Sequence, residues 1–160
     1  MGCYGPSDKV EVEFLGIRLL LAADITEIGW SSLVSRMSLS GEDVLAALKS
    51  RIVKIPHHGG AWQDVNNMRK MFGVLQPEYV IISTGSKNIY DHPSKMIFDA
   101  LSGVSSLRHI LCTQATPHRC GLEGVENSAC ADSIEIAIKK MTSVYFPIKR
   151  TTWLVLKLRS

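Results

Sequence analysis

The stretch Ile52-Val53-Lys54-Ile55-Pro56-His57-His58-Gly59-Gly60 decides how this chain is read. Arg51 to Ile55 is rich in β-branched residues and reads as a strand, and Pro56 ends it. Two imidazoles then stand side by side, and paired glycines after a proline demand a loop. Neutral imidazole is the commonest protein ligand for zinc and similar metals. Glycine lets backbone or substrate approach closely. Adjacent residues do not easily share one tetrahedral ion, so one histidine would bind while the other orients or acts as acid. The plainer alternative is a polar turn with two chance histidines. With five histidines in 160 residues, an adjacent pair in this setting leans towards function.

Upstream, Val10-Glu11-Val12-Glu13-Phe14 alternates apolar and acidic residues, the pattern of a half-buried strand. Gly16 punctuates, and Ile17 to Ala22 reads as a second strand, so the two form a hairpin or one bent strand. Asp24 follows it. A carboxylate there emerges at a sheet edge, where α/β proteins place ligands. Read alone, Asp24 fits better as the N-cap of the helix whose apolar positions run from Ile28 to Met37. Ser40 with Asp43 resembles a capping box, which predicts a short helix over 43–50.

Downstream, Trp62 to Phe72 has helical apolar spacing, with its C-cap read at Gly73. Tyr79 to Ser83 is a strand, 84–93 a polar loop, and Ser94 to Leu101 a helix. The loop holds Ser83, Gly85, Asn88 and His92, and such hydroxyl, amide and backbone donors can hold an anionic group. The alternative is an ordinary Ser-Thr-Gly turn. Arg108 to Thr113 is a strand, 116–131 an irregular loop, and 133–138, 144–146 and 152–158 read as antiparallel strands. Strands alternating with helices point to a layered α/β or α+β domain. Residues 8–160 form a single domain, with 1–7 as a lead-in.

Three of these segments, in this order, resemble the C-terminal half of the metallo-β-lactamase fold, in the branch typified by the hydrolase domain of ComEC-type competence proteins. Leu19-Leu20-Leu21-Ala22-Ala23-Asp24 stands where that family has an apolar strand ending in Gly-Asp. Ile52 to Gly60 stands where it has a strand and then His-His-Gly-Ser. Tyr79 to Gly85, with Asn88, Tyr90, His92 and Pro93, stands against a strand, Ser-x-Gly and Asn-x-Tyr-Gly-His-Pro. The resemblance covers roughly residues 8 to 113. The departures are Ala23 for Gly, Gly60 for Ser and Asp91 for Gly.

The resemblance implies a metal-dependent hydrolase of phosphodiesters or similar substrates, nucleic acid among them, using zinc or manganese, dinuclear when complete. A metal pair holds a hydroxide and clamps the attacking and leaving oxygens. Asp24 would match the bridging carboxylate and His58 the last histidine ligand, with His57 beside the substrate. His92 would be a substrate-facing or acid residue, and Ser83, Gly85 and Asn88 would bind substrate. The family's His-x-His-x-Asp-His signature has no counterpart among the histidines at 57, 58, 92, 109 and 118. Catalytic zinc takes three protein ligands, and Asp24 with one histidine supplies two. Asp24, His58 and His92 would be the three-donor set within the chain.

The implied fold is an αββα sandwich of which the chain holds about one half, a mixed sheet with helices on one face. The other sheet face would then be uncovered, which marks an interface. The expected partner is a complementary N-terminal half, another subunit or a second copy, and the chain alone would be inactive. The alternative is a non-catalytic subunit that keeps the half-fold for assembly or binding.

Composition bounds the rest. A net charge of +3 is too mild to argue for a nucleic-acid face. No apolar run approaches a membrane span, and no basic-then-apolar leader opens the chain. Four cysteines are too few for a disulfide scaffold, which favours a reducing, cytoplasmic setting. Cys112, His118, Cys120 and Cys130 form a candidate structural zinc set, though without a Cys-x-x-Cys knuckle. Buried thiols behaving as small hydrophobes are the preferred reading.

Overall fold

In the computed structural model, the described residues are 10–14, 16–41, 43–85, 89–90, 92–113, 129–130, 133–140 and 152–159. The chain runs β1 (Val10–Phe14), β2 (Ile17–Leu21), α1 (Glu27–Leu39), α2 (Val44–Leu48) and β3 (Ile52–Lys54). A 3-10 turn (Pro56–Gly59) leads to α3 (Val65–Leu75), β4 (Tyr79–Ile82), α4 (Lys95–Leu101) and β5 (His109–Cys112). β6 (Ala129–Cys130), β7 (Ser133–Lys140) and β8 (Thr152–Arg159) follow. The fold is mixed α/β, as the alternation of periods predicts.

The alternating β1 and the Leu-rich β2 form an antiparallel hairpin, with Phe14 opposite Ile17 across Gly16. Gly16 takes a φ of +74°, which a side chain would resist. From β2 onward every neighbouring pair in the first sheet is parallel. Strand order in space is strand order in sequence, β1 to β6. Right-handed crossovers that always step the same way put every connecting helix on one face. Leu20, Val53, Val80 and Ile110 stand in one register row and pack with Trp30, Leu48, Met68, Phe72, Ile97 and Leu101 from the four helices. The expected single helical face is therefore present.

The opposite face is not left bare. Ile17, Ile52, Ile81 and Leu111 project there, and Ile134, Ile136 and Ile138 of β7 pack against them. β7 pairs antiparallel with β8 as a second, two-stranded sheet. What stays open is the β1 edge: Val12 and Phe14 lie opposite Leu19 and Ile17 on the same face, yet are 47% and 54% exposed.

Several boundaries differ from the periodicity, each for a local reason. Thr26, not Asp24, caps α1, its hydroxyl accepting from the Gly29 amide at 3.3 Å. Asp43 is itself the N-cap of α2, accepting from the Leu45 and Ala46 amides at 3.1 Å, while Ser40 ends α1. Asp64 caps α3 through the Asn66 amide at 2.8 Å, so Trp62 precedes the helix. Gly73 does not end α3. The helix runs on to bury Leu75, and Gln76 takes the left-handed position (φ +47°) before Pro77. The 144–146 strand lies outside the described residues.

Candidate active site

Parallel strands deliver their carboxyl ends to one edge of the sheet, and ligand crevices in such sheets form there. β2 ends before Asp24, β3 before His57 and His58, and β4 before Ser83. The register fixes their neighbourhood: Leu21, Lys54 and Ile81 share one row, and the edge lies beyond it. The His57 amide donates to the Ala23 carbonyl at 2.9 Å, tying the first two loops together. The sequence-predicted segments around residues 24, 57–58 and 83–85 thus converge on adjacent strand ends.

The loop backbone is strained where it converges. His57, His58 and Gly59 take left-handed φ values of 46°, 52° and 84° in succession, and Ala23 takes 43°. Among the described residues the only other non-glycine in that region is Gln76. Each non-glycine residue there costs about 1–2 kcal/mol, and strain of this kind clusters at functional sites.

Each side chain has a defined setting. The Nδ1 of His58 lies against the Ser83 carbonyl, with Ser83 Oγ at 3.3 Å. A carbonyl oxygen only accepts, so Nδ1 carries the proton and Nε2 presents its lone pair. His57 is exposed and meets His92 edge-on, with ring centroids 5.5 Å apart. Tyr90 stacks on His92 with centroids 5.9 Å apart. Gly60 makes room for this: a β-carbon there would stand 3.0 Å from His92 Cε1. Gly59 is tighter still, since its β-carbon would meet Ile55 Cδ1 and Pro93 Cβ at 2.8 Å. Ser83 thus orients His58. Gly85 is exposed at the loop surface, and Asn88 lies outside the described residues.

Lys54 belongs to this edge although no motif singles it out. It lies on the β7-facing side, half-buried, with Nζ 3.3 Å from the Ile55 carbonyl. Burial holds its ammonium below the ordinary lysine range, and the charge of Asp24 partly restores it. A lysine inside the apolar run Ile52-Val53-Lys54-Ile55 is the signal that could have found it.

The donors do not make a complete metal centre. Among the described residues no group of three His, Cys, Asp or Glu side chains is arranged to hold an ion. Asp24, His58 and His92 are therefore not a three-donor set in this chain. His92 lies over Gly60 and meets His57 edge-on. The cysteine set is only partly described: Cys112 is buried and in register with Cys130, while His118 and Cys120 lie outside the described residues. No family model, no curated protein and no solved structure matches this chain. Among the described residues no helix is long and apolar enough to cross a membrane.

Proposed function

We propose that this chain contributes one half of a hydrolytic site for phosphodiesters or similar anionic esters, of the metallo-β-lactamase kind. Asp24 and His58 are its metal-facing donors, His57 and His92 its substrate-facing imidazoles, and the remaining ligands come from a complementary half or another subunit. A divalent ion held there, zinc or manganese, would supply Lewis acidity. The protein's working setting in this reading is the reducing cytoplasm.

The observation that carries this is the orientation of His58. Metal-ligating histidines almost always give their second ring N–H to a carbonyl or carboxylate, which fixes the tautomer and aims the other nitrogen. His58 does so towards Ser83. His57 has no such partner in the hydrogen bonds described and is the better substrate-side group. The strained turn that sets both rings adds support.

A second reading, a non-catalytic subunit that keeps this edge for binding or assembly, is favoured by the donor count. Two donors fall short of the three that catalytic zinc takes. The exposed Val12 and Phe14 at the sheet edge would serve either reading as part of the surface a partner covers.

Calorimetric titration with Zn²⁺ and Mn²⁺ separates these, using the wild type, Asp24→Ala and His58→Ala, alongside turnover of bis(p-nitrophenyl) phosphate. The half-site predicts weak uptake that either substitution abolishes, and no turnover by the chain alone. Absence of any uptake favours the non-catalytic subunit. Tight stoichiometric metal that survives both substitutions but not Cys120→Ala would move the metal to the cysteine loop.

A further inference from the structure

We propose that the cavity between the start of α1 and the Gly60–Gln63 segment is an aryl subsite, which seats a flat aromatic ring carried by the anionic ester. The position of the reacting group rests on the hydrolytic reading above; the seat of the ring does not.

The cavity holds about 190 Å³. Apolar cavities of ~150 Å³ accept benzene, so the space is enough for one ring. Its walls suit a flat apolar group. Trp62, packed into the core with 8% of its surface exposed, backs the wall, Ala61 adds a single methyl, and Gly60 no side chain at all. Ile28 stands at the rim with 73% of its surface exposed, in a helix whose Trp30 and Met37 are buried. A docked ring would cover it. His57 also lines the cavity, and its ring meets that of His92 with centroids 5.5 Å apart.

The wall is held in place in advance. Glu27 also borders the cavity, but its carboxylate is engaged by two donors. Oε2 accepts from the Gln63 amide at 2.7 Å and Oε1 from Asn67 Nδ2 at 2.6 Å. These bonds clasp the loop carrying Ala61 and Trp62 to α1 and α3. A wall fixed before binding saves the ordering cost that a floppy one would impose.

Titration of the full chain with phenylphosphonate and methylphosphonate tests this, because the two anions differ only in the ring. Phenol supplies the ring without the anion. Amide NMR shifts of Gly60, Ala61 and Gln63 are the readout. Phenylphosphonate should bind about tenfold more tightly than methylphosphonate, and phenol should move the same amides. Ile28→Ser, at an exposed position, should remove much of the ring's advantage, and Ala61→Leu should fill the cavity and abolish it. Equal affinities for the two phosphonates overturn the subsite, as does a ring advantage that both variants leave intact. Asp24→Ala and His58→Ala address the other reading: phosphonate binding that ignores both, with phenol binding preserved, removes the half-site and leaves the aryl subsite standing.

Discussion

The imidazole of His92 occupies the space that a side chain at residue 60 would need. A β-carbon on Gly60 would stand 3.0 Å from Cε1 and 3.1 Å from Nε2 of that ring. Contacts this close force a neighbour to give; the nearest is the residue proposed to face substrate, with the His57 carbonyl next at 3.2 Å. Gly60→Ala should therefore move His92 while costing only about 1 kcal/mol of stability. The side-chain resonances of His92 check this; if they coincide with the wild type, the coupling is absent. A serine at residue 60, the residue of the resembled motif, should displace His92 at least as far.

Gly59 is a harsher case. Its φ of +84° and the 2.8 Å approaches to Ile55 and Pro93 leave no room for a methyl group. Gly59→Ala should destabilise the fold by about 2–4 kcal/mol, combining backbone strain with overpacking. Denaturant unfolding measures it, and a loss below the cost of an ordinary surface substitution would contradict the geometry.

Ala23 offers the reverse. Its φ of +43° carries the left-handed penalty that glycine escapes. Ala23→Gly removes about 1–2 kcal/mol of strain and adds about 0.5–1 kcal/mol of chain entropy loss. The net expectation is a small gain in thermal midpoint. A clear drop would mean that the methyl of Ala23 contributes packing.

Lys54 makes stability depend on alkaline pH. Its folded pKa is lowered by burial, so the folded state holds this proton less tightly than the unfolded chain. The penalty is fully present below the folded pKa and disappears as pH rises towards the unfolded value. Lys54→Met should stabilise at neutral pH, and the advantage should shrink as pH climbs through that window. Asp24→Asn should lower the Lys54 pKa further, because the carboxylate is what partly supports the ammonium. Unfolding curves across the alkaline range distinguish these outcomes from a pH-independent effect.

Glu27 acts at the other end of the scale. The Asn67 amide, followed by backbone donors, holds its carboxyl below the usual range. Such a group stabilises above the unfolded carboxylate pKa, and its contribution is lost as pH falls through the folded one. Glu27→Gln should flatten the acid limb of the stability profile and loosen the Gln63 amide to hydrogen exchange. An unchanged acid limb would mean the clasp is not formed in solution.

Much of this architecture was legible because local pattern and global fold agree. The alternation in Val10–Phe14, the Leu run after Gly16 and the β-branched runs at 52–55 and 79–82 mark strands wherever they occur. The meeting of the segments that carry Asp24, His57 and His58 follows from parallel strands, whose carboxyl ends reach one edge of the sheet. Caps were harder. Asp24, Ser40 and Gly73 all carry the right chemistry for the ends read at them, but Thr26 and Asp43 hold the N-caps and Gln76 the C-cap, while Ser40 closes α1. Several residues in each neighbourhood can cap, and burial of Trp30 and Leu75 decides how far each helix runs.

The sequence by itself determined the order of strands and helices and the polar edge after each strand, since periodicity and residue type are local properties. Tertiary structure decided what no local pattern carries. It covered the second sheet face with Ile134, Ile136 and Ile138, turned His58 on to Ser83, seated His92 over Gly60 and brought Lys54 within the field of the Asp24 carboxylate. Each of these joins residues from separate strands or loops, and only the packing of the sheet sets which of them meet.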